Sequence, residues 1–325
     1  MLGEFIAILA VLTFVGSNVI FRKTEHEVTP AFINFFRTGI GTLTFIIIIL
    51  FLNQSNLIFM LPWELWLVLI LSFIFGQVIG DTAYFIAQKE LGTTIALAIS
   101  MTFPLFTFIL SLIFLDRQFK LNLIISLILI GIGITIIGKS KINFKNSIYE
   151  KSTINKISIK TRFQEFFSKN IIKAICFCFI ASLGWAIGAV LIDFGIIQID
   201  QIIHAEELSS IIGNVIRFPF ALLILSAMVW RENKIKKRKE DSPNQKKSVH
   251  TWILLLVASI LGTSLGAYLY TESVHIAGAS AVSLIASAAP LFALPLTYFI
   301  NKENITKWGF LGVILTIIGV IIILF

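Results

Sequence analysis

Residues Gly262 to Phe292 read GTSLGAYLYTESVHIAGASAVSLIASAAPLF. The chain has already written this stretch once, 186 positions earlier, as GQVIGDTAYFIAQKELGTTIALAISMTFPLF from Gly76 to Phe106. Eight of the 31 aligned positions are identical: Gly76/Gly262, Gly80/Gly266, Tyr84/Tyr270, Gly92/Gly278, Ile99/Ile285, Pro104/Pro290, Leu105/Leu291 and Phe106/Phe292. Glycines and prolines recur for backbone reasons: close approach, a bend or a helix break. Helices rich in Leu, Ile and Gly match each other by chance easily. The repeated order of features (Gly, Gly, Tyr, loop, Gly, Pro-Leu-Phe, charged turn, closing helix) speaks for a true internal repeat.

Around this repeat the chain is strongly apolar. It has 325 residues, 57% hydrophobic and 14% charged, with a mean hydropathy of +0.92. A soluble domain carries about 25% charged residues. The reading is an all-α polytopic membrane protein. The two cysteines, Cys176 and Cys178, lie in an apolar run one residue apart, so they read as small apolar fillers rather than a disulfide, redox or metal pair. The N-terminus lacks a basic region before its apolar run, which reads as a first span rather than a cleaved signal. The net charge of +8 gives no nucleic-acid signal, because the basic residues sit in loops between spans.

A bilayer core of roughly 30 Å takes about 20 helical residues. Ten segments qualify: near 3–21, 30–52, 63–87, 92–115, 119–138, 171–193, 205–230, 251–273, 278–300 and 305–325. They divide into a first five-helix unit, 1–138, a polar connecting loop, 139–170, and a second five-helix unit, 171–325. The loop has enough Ile and Phe for a short surface helix near 160–168. Because five is odd, the second unit enters the membrane from the opposite side, so the repeats are inverted. Inverted repeats with a substrate site between the halves are a transporter plan. The loops after spans 1, 3, 5, 7 and 9, with Lys173 and Lys307 at the adjoining span ends, hold 22 Lys and Arg, against only Arg117 and Lys120 on the other side. By the positive-inside rule the rich side is cytoplasmic and both termini face outward.

Two arginines, Arg37 and Arg217, lie well inside apolar segments in corresponding places of the two halves. Each costs at least about 2.5–3.5 kcal/mol without a partner or water, so each is expected to face the bundle interior. Either they meet an anionic or carboxylate-bearing solute or form a gating ion pair, or they are structural arginines tied to carbonyls or the membrane edge. Asn34 and Asn214 each precede an arginine by three residues, which puts each pair on one helix face and suggests a repeated Asn/Arg site. Asp81 lies roughly 9 Å from the centre of span 3 at about 1.5 Å per residue. A carboxylate there can bind a cation or take up a coupling proton; the bland alternative is an interface carboxylate, solvated or paired with Lys89. Glu272, Asp193, His275, Glu206 and Glu207 lie near span ends and read as hydrated or helix-start residues.

Cavity-lining candidates are Ser17 and Asn18 in span 1, Gln77 and Tyr84 in span 3, and Ser100 in span 4. In the second half they are Trp185 in span 6, Tyr268 and Tyr270 in span 8, and Ser283 and Ser287 in span 9. Ser more often serves helix packing and Tyr or Trp the membrane interface. Trp185 lies mid-span and is the preferred aromatic wall. Pro104 and Pro290 each follow small or polar residues within a span, where a freed carbonyl permits a kink. They read as hinges; the alternative is a static kink that shapes packing.

These features together resemble an EamA-like carrier of the drug/metabolite transporter superfamily. The resemblance is carried by Gly16-Ser17-Asn18, Pro30 followed by Phe35-Phe36-Arg37, Tyr84 with Gly92, and Pro104. The second half answers with Gly184-Trp185, Arg217, Tyr270, Gly278, Pro290 and Glu303. It covers nearly the whole length and is specific to the superfamily. It implies a ten-helix carrier of small organic solutes, often amino acids or other metabolites, commonly moved outward across the cell membrane without a cofactor. It implies a central cavity lined by spans 1, 3, 4, 6, 8 and 9, with 5 and 10 as scaffold. Asp116 and Arg117 stand where the first half often has Glu-Arg, and Glu303 lacks the Arg. The resemblance also implies cytoplasmic termini, opposite to the loop charges.

An alternative is a membrane-embedded enzyme on a lipid-linked or prenyl substrate, or a sensor. An enzyme of that kind needs clustered acids or histidines, and His26, His204, His250 and His275 are scattered. No Walker motif is present, which argues against nucleotide-driven pumping by this chain.

Overall fold

The computed structural model describes residues 2–114, 169–204, 206–238, 248–302 and 306–322, together with 125, 128–133 and 135–136. The described regular elements are helical. Helix α1 runs Leu2–Thr24 and α2 runs Pro30–Phe51. The third long element is composite: α3, Trp63–Phe73, passes through a π-helical turn, Ile74–Asp81, into α4, Thr82–Leu91. Then come α5, Thr93–Ser100, and α6, Phe103–Phe114. The second half opens with α7, Lys169–Ile203, and α8, Glu206–Arg238. Next is α9, Val249–Ser259, a second π turn, Ile260–Leu265, and α10, Gly266–Ala286. Helix α11, Ala289–Leu296, ends in a π turn at Thr297–Asn301, and α12 spans Lys307–Ile322.

Among the described residues six helices are long and apolar enough to cross a membrane, and the regular structure of those residues is all helical, as a membrane protein requires. The difference from ten expected spans has local causes. The fourth span is split by a turn at Met101 and Thr102, and the ninth by a turn at Ser287 and Ala288. Each turn is followed two residues later by a proline, Pro104 or Pro290, sitting in the first turn of the next helix. There the missing N–H costs nothing, whereas deeper in a helix it would break the ladder. Gly278, with φ 79° and ψ 154°, separates the eighth span from the ninth. The fifth span lies almost wholly outside the described residues, as do Asp116, Arg117, Glu303 and the 160–168 segment. The sixth and seventh spans, expected at 171–193 and 205–230, are longer. Helices α7 and α8 run on to Ile203 and Arg238, so the second basic loop starts as helix.

Local backbone repeats at the same 186-residue offset as the sequence. The π turns begin at Ile74 and Ile260, the split-span turns fall at 101–102 and 287–288, and Gly92 (φ 85°) matches Gly278 (φ 79°). A π turn inserts one residue into the helical ladder and leaves carbonyls seeking donors. Asn34 answers the first of these, its Nδ2 donating to the Gln77 carbonyl at 2.7 Å and to Thr82 Oγ1 at 2.8 Å.

The third element and α7 meet backbone to backbone. A Cβ on Gly184 would sit 2.6 Å from the Phe75 carbonyl, and one on Gly188 would sit 2.7 Å from the Ser72 carbonyl. Small residues four apart on both helices allow this approach, the device by which helices associate in lipid.

Polar ties fix which ends lie together. Arg22 pairs with Glu25 and donates to the Lys89 carbonyl at 2.9 Å. Glu27 accepts from the Ser248 amide at 2.8 Å, and Thr29 donates to Glu232 at 2.9 Å. The ends of the first, third and seventh spans and the start of the eighth therefore share one side. At the other, Gly3 lies against Ile276 and Ala277, His275 lies 3.6 Å from Asp200, and Asp193 accepts from the Ala279 amide at 3.0 Å. Asp193 thus caps the ninth span instead of being merely hydrated, and His275 has an acidic neighbour. Apolar side chains cover much of the outside, Phe51 at 89% exposure among them, while Asn34, Arg37, Asp81, Asn214 and Arg217 are buried inside. Cys176 and Cys178 are free thiols.

Candidate functional site

The π turn of the third element carries Gln77 and Asp81 on one face, four residues apart, and aims both at α2. Arg37 on α2 donates through Nη2 to Asp81 Oδ2 at 2.7 Å and to Gln77 Oε1 at 3.0 Å. The second carboxylate oxygen is also engaged: Trp185 Nε1, from α7, donates to Asp81 Oδ1 at 2.8 Å. The Gln77 amide donates to Asn34 Oδ1 at 3.1 Å and to Thr38 Oγ1 at 2.9 Å. A buried ion pair persists in an apolar interior only when its remaining hydrogen-bonding capacity is met, and here three helices meet most of it. Lys89, the alternative partner for Asp81, is exposed and takes no part.

The second arginine has different surroundings. Arg217 Nε donates to Asn214 Oδ1 at 2.9 Å, and its Nη2 to Thr271 Oγ1 at 2.9 Å. Its guanidinium lies over the Phe73 ring, 4.7 Å from the centroid. No carboxylate forms an ion pair with it among the described residues. The repeat explains why: the position matching Asp81 is Ala267. In the second half the Asn and Arg bond directly to each other. In the first half, Asn34 and Arg37 reach each other through Gln77.

Both arginines line one cavity of about 160 Å³, with Asp81, Gln77, Trp185 and Tyr270. Its wall draws on the first four spans and on the sixth to ninth; apolar side chains such as Phe14, Phe73, Phe103 and Ile192 form most of it. Trp185 is half-buried at the wall, and its ring meets Phe14 at 5.9 Å and Phe103 at 6.2 Å.

Other expected residues lie apart from the cavity wall. Tyr84 is fully buried, packed on Trp185, Phe85 and Phe14. Asn18 is also fully buried, its Nδ2 donating to the Phe14 carbonyl at 2.9 Å. Together with Phe21, Phe85 and Gln88 they fill the space between the cavity and the Arg22–Glu25 side. Tyr268 is half-buried and packs against the apolar cluster of the other end. Asn34 and Asn214 stand behind the arginines. Pro104 and Pro290 are buried beside the split-span turns, with Met101, Phe103, Ala286 and Ala289 of those turns on the wall. Thr271 and Phe73 were not anticipated. Thr271 had no sequence signal, and Phe73 was one phenylalanine among 30.

The EamA-like transporter family matches residues 1–139 and 172–325. This chain belongs to the EamA-like transporter family. An uncharacterized transporter of Archaeoglobus fulgidus is 22% identical over 326 residues, covering 100% of this chain and 98% of its own. A solved crystal structure of a protein is similar over 99% of this chain and 96% of its own, with a TM-score of 0.60 and 14% identity. At that identity the likeness speaks to the fold alone. As an EamA-like transporter the protein is placed with membrane proteins of transport, so transport rather than enzymatic chemistry is the function carried forward.

Proposed function

We propose that this EamA-like protein is a secondary carrier of the plasma membrane that moves small organic metabolites, amino acids or related solutes, outward by alternating access. Two inverted five-helix halves, 1–138 and 171–325, rock about the central cavity, joined by the 139–170 loop. The observation that carries this reading is the convergence of Arg37, Asp81, Trp185 and Arg217, from both halves, on one mid-span cavity. Membrane-embedded ionisable groups are costly and mark solute and ion paths.

The inverted relation is supported by equivalent residues at opposite ends. Gly92 sits beside the Arg22–Lys89 end, and Gly278 beside the Gly3–Asp193 end. The loop charges favour the Arg22–Lys89 side as cytoplasmic. Pro104 and Pro290, each following a break in its span, are the proposed hinges. Asp81 is the proposed site of a coupling proton: protonation removes the charge that holds Arg37.

The test compares solutes inside and outside cells that express the chain, the Arg37→Ala variant or the Asp81→Asn variant at matched surface levels. A small group of solutes that shifts only with the unaltered protein is the expected result. No shift across varied media, with all three proteins correctly inserted, overturns the carrier reading.

A further inference from the structure

The two halves supply the cavity with two arginines but only one carboxylate to pair with them. Both oxygens of Asp81 are engaged, with Arg37 on one at 2.7 Å and Trp185 on the other at 2.8 Å. The Arg37–Asp81 pair is electrically neutral. Arg217 has only neutral partners, Asn214, Thr271 and the Phe73 ring. Its Nε and Nη2 are engaged, Nη1 makes no hydrogen bond among the described residues, and the residue lies on the cavity wall. Asp193 accepts from the Ala279 amide at 3.0 Å, and neither it nor Glu272 is part of the wall. Tyr270 on the wall is a neutral phenol at physiological pH. Among the described wall residues the charge balance is therefore one unopposed cation.

The shape of the cavity limits what can answer that cation. At about 160 Å³ it compares with the roughly 150 Å³ apolar hole that admits benzene. Aromatic and aliphatic side chains dominate it, so the body of an occupant is apolar and about one ring in size. A guanidinium edge presents paired N–H donors that suit a carboxylate. A second negative charge would have no partner, because Arg37 is already matched.

We infer that the cavity binds a small organic monoanion, a monocarboxylate with an apolar body of about one ring, whose carboxylate is held by Arg217 while the Arg37–Asp81 pair stays closed. This rests on the carrier reading and names the solute class for it.

The experiment uses the full chain in proteoliposomes with equal concentrations of benzoate, benzamide, benzylamine, phenylalanine and terephthalate. Uptake is read by mass spectrometry, and binding to the same protein by equilibrium dialysis. Benzoate is expected to bind and move, with benzamide, benzylamine and terephthalate weaker by at least about tenfold, the size of effect a lost charged hydrogen bond gives. Arg217→Gln is expected to lose benzoate binding by a similar factor, and Arg217→Lys to keep part of it, which separates lost charge from lost fold. Preference for benzylamine, phenylalanine or terephthalate, or equal binding of benzamide and benzoate, overturns the monoanion site while leaving a carrier. Benzoate binding without flux of any probe keeps the site and overturns the carrier. No binding of benzoate by folded protein overturns the site.

Discussion

Trp185 and Asp81 are joined by a 2.8 Å hydrogen bond across the interface between the two halves of the chain. The indole belongs to the second half, and the carboxylate it steadies balances an arginine of the first. A hydrogen bond to a charged group contributes about 1.5–3 kcal/mol. Trp185→Phe is expected to lower stability by that order and to change the rate of solute movement. Thermal unfolding in detergent alongside a flux assay checks both; a variant unchanged in each would show that the bond is dispensable.

Breaking the buried Arg37–Asp81 pair on one side leaves a lone charge in an apolar interior, at a cost of about 3–5 kcal/mol. Arg37→Gln and Asp81→Asn are each expected to reduce folded yield. The double variant should recover part of the loss, because neither charge is then stranded. Equal losses in singles and double would argue against direct coupling.

Gly92 and Gly278 have φ 85° with ψ 161° and φ 79° with ψ 154°. That region is almost confined to glycine, and another residue there costs about 1–3 kcal/mol. Gly92→Ala and Gly278→Ala should be destabilised by similar amounts, measured side by side by thermal unfolding. A cost at one site only would mean that the two turns are not built alike.

Glu27, in the exposed turn between α1 and α2, accepts from the Ser248 amide and hydroxyl. These bonds hold its carboxyl below the ordinary value of 4.5. The tie is therefore at full strength above that pH and is lost as pH falls through the lower folded value. Protection against hydrogen exchange at the start of α9, corrected for the intrinsic pH dependence of amide exchange, should fall on acidification as the carboxyl gains its proton. Glu27→Gln should abolish that dependence.

Thiols introduced by Glu4→Cys and, separately, Lys234→Cys in a chain lacking Cys176 and Cys178 test the orientation. An impermeant maleimide added to intact cells is expected to label the first and spare the second. The reverse pattern would place both termini in the cytoplasm.

Much of this architecture was legible in the residues. Gly92, Gly278, Pro104 and Pro290 mark breaks that the backbone makes, because glycine and proline act through local geometry. Arg37, Asp81 and Arg217 stood out because charges in an apolar run must be satisfied. Their partners did not stand out. That Asp81 answers Arg37 rather than Lys89, and that Trp185 takes its second oxygen, depends on how three helices pack. Packing is a tertiary fact without a sequence period. The same limit hid Thr271 and Phe73 beneath Arg217, and it made Tyr84 and Asn18 look like wall residues when they fill the layer beside it. Asn34 and Arg37 meet at Gln77 rather than bonding to each other, because the π turn offers Asn34 a carbonyl in need of a donor.

The unmatched cation at Arg217 has an electrical consequence for a working cycle. A bound monoanion cancels it, so the loaded cavity carries no net charge and the membrane voltage has little hold on the solute-bearing step. The empty cavity keeps its positive charge, and a charge crossing the field feels about 2.3 kcal/mol per 100 mV. The resting potential would then act on the unloaded return and set the turnover of the cycle, while leaving the affinity for the solute largely untouched.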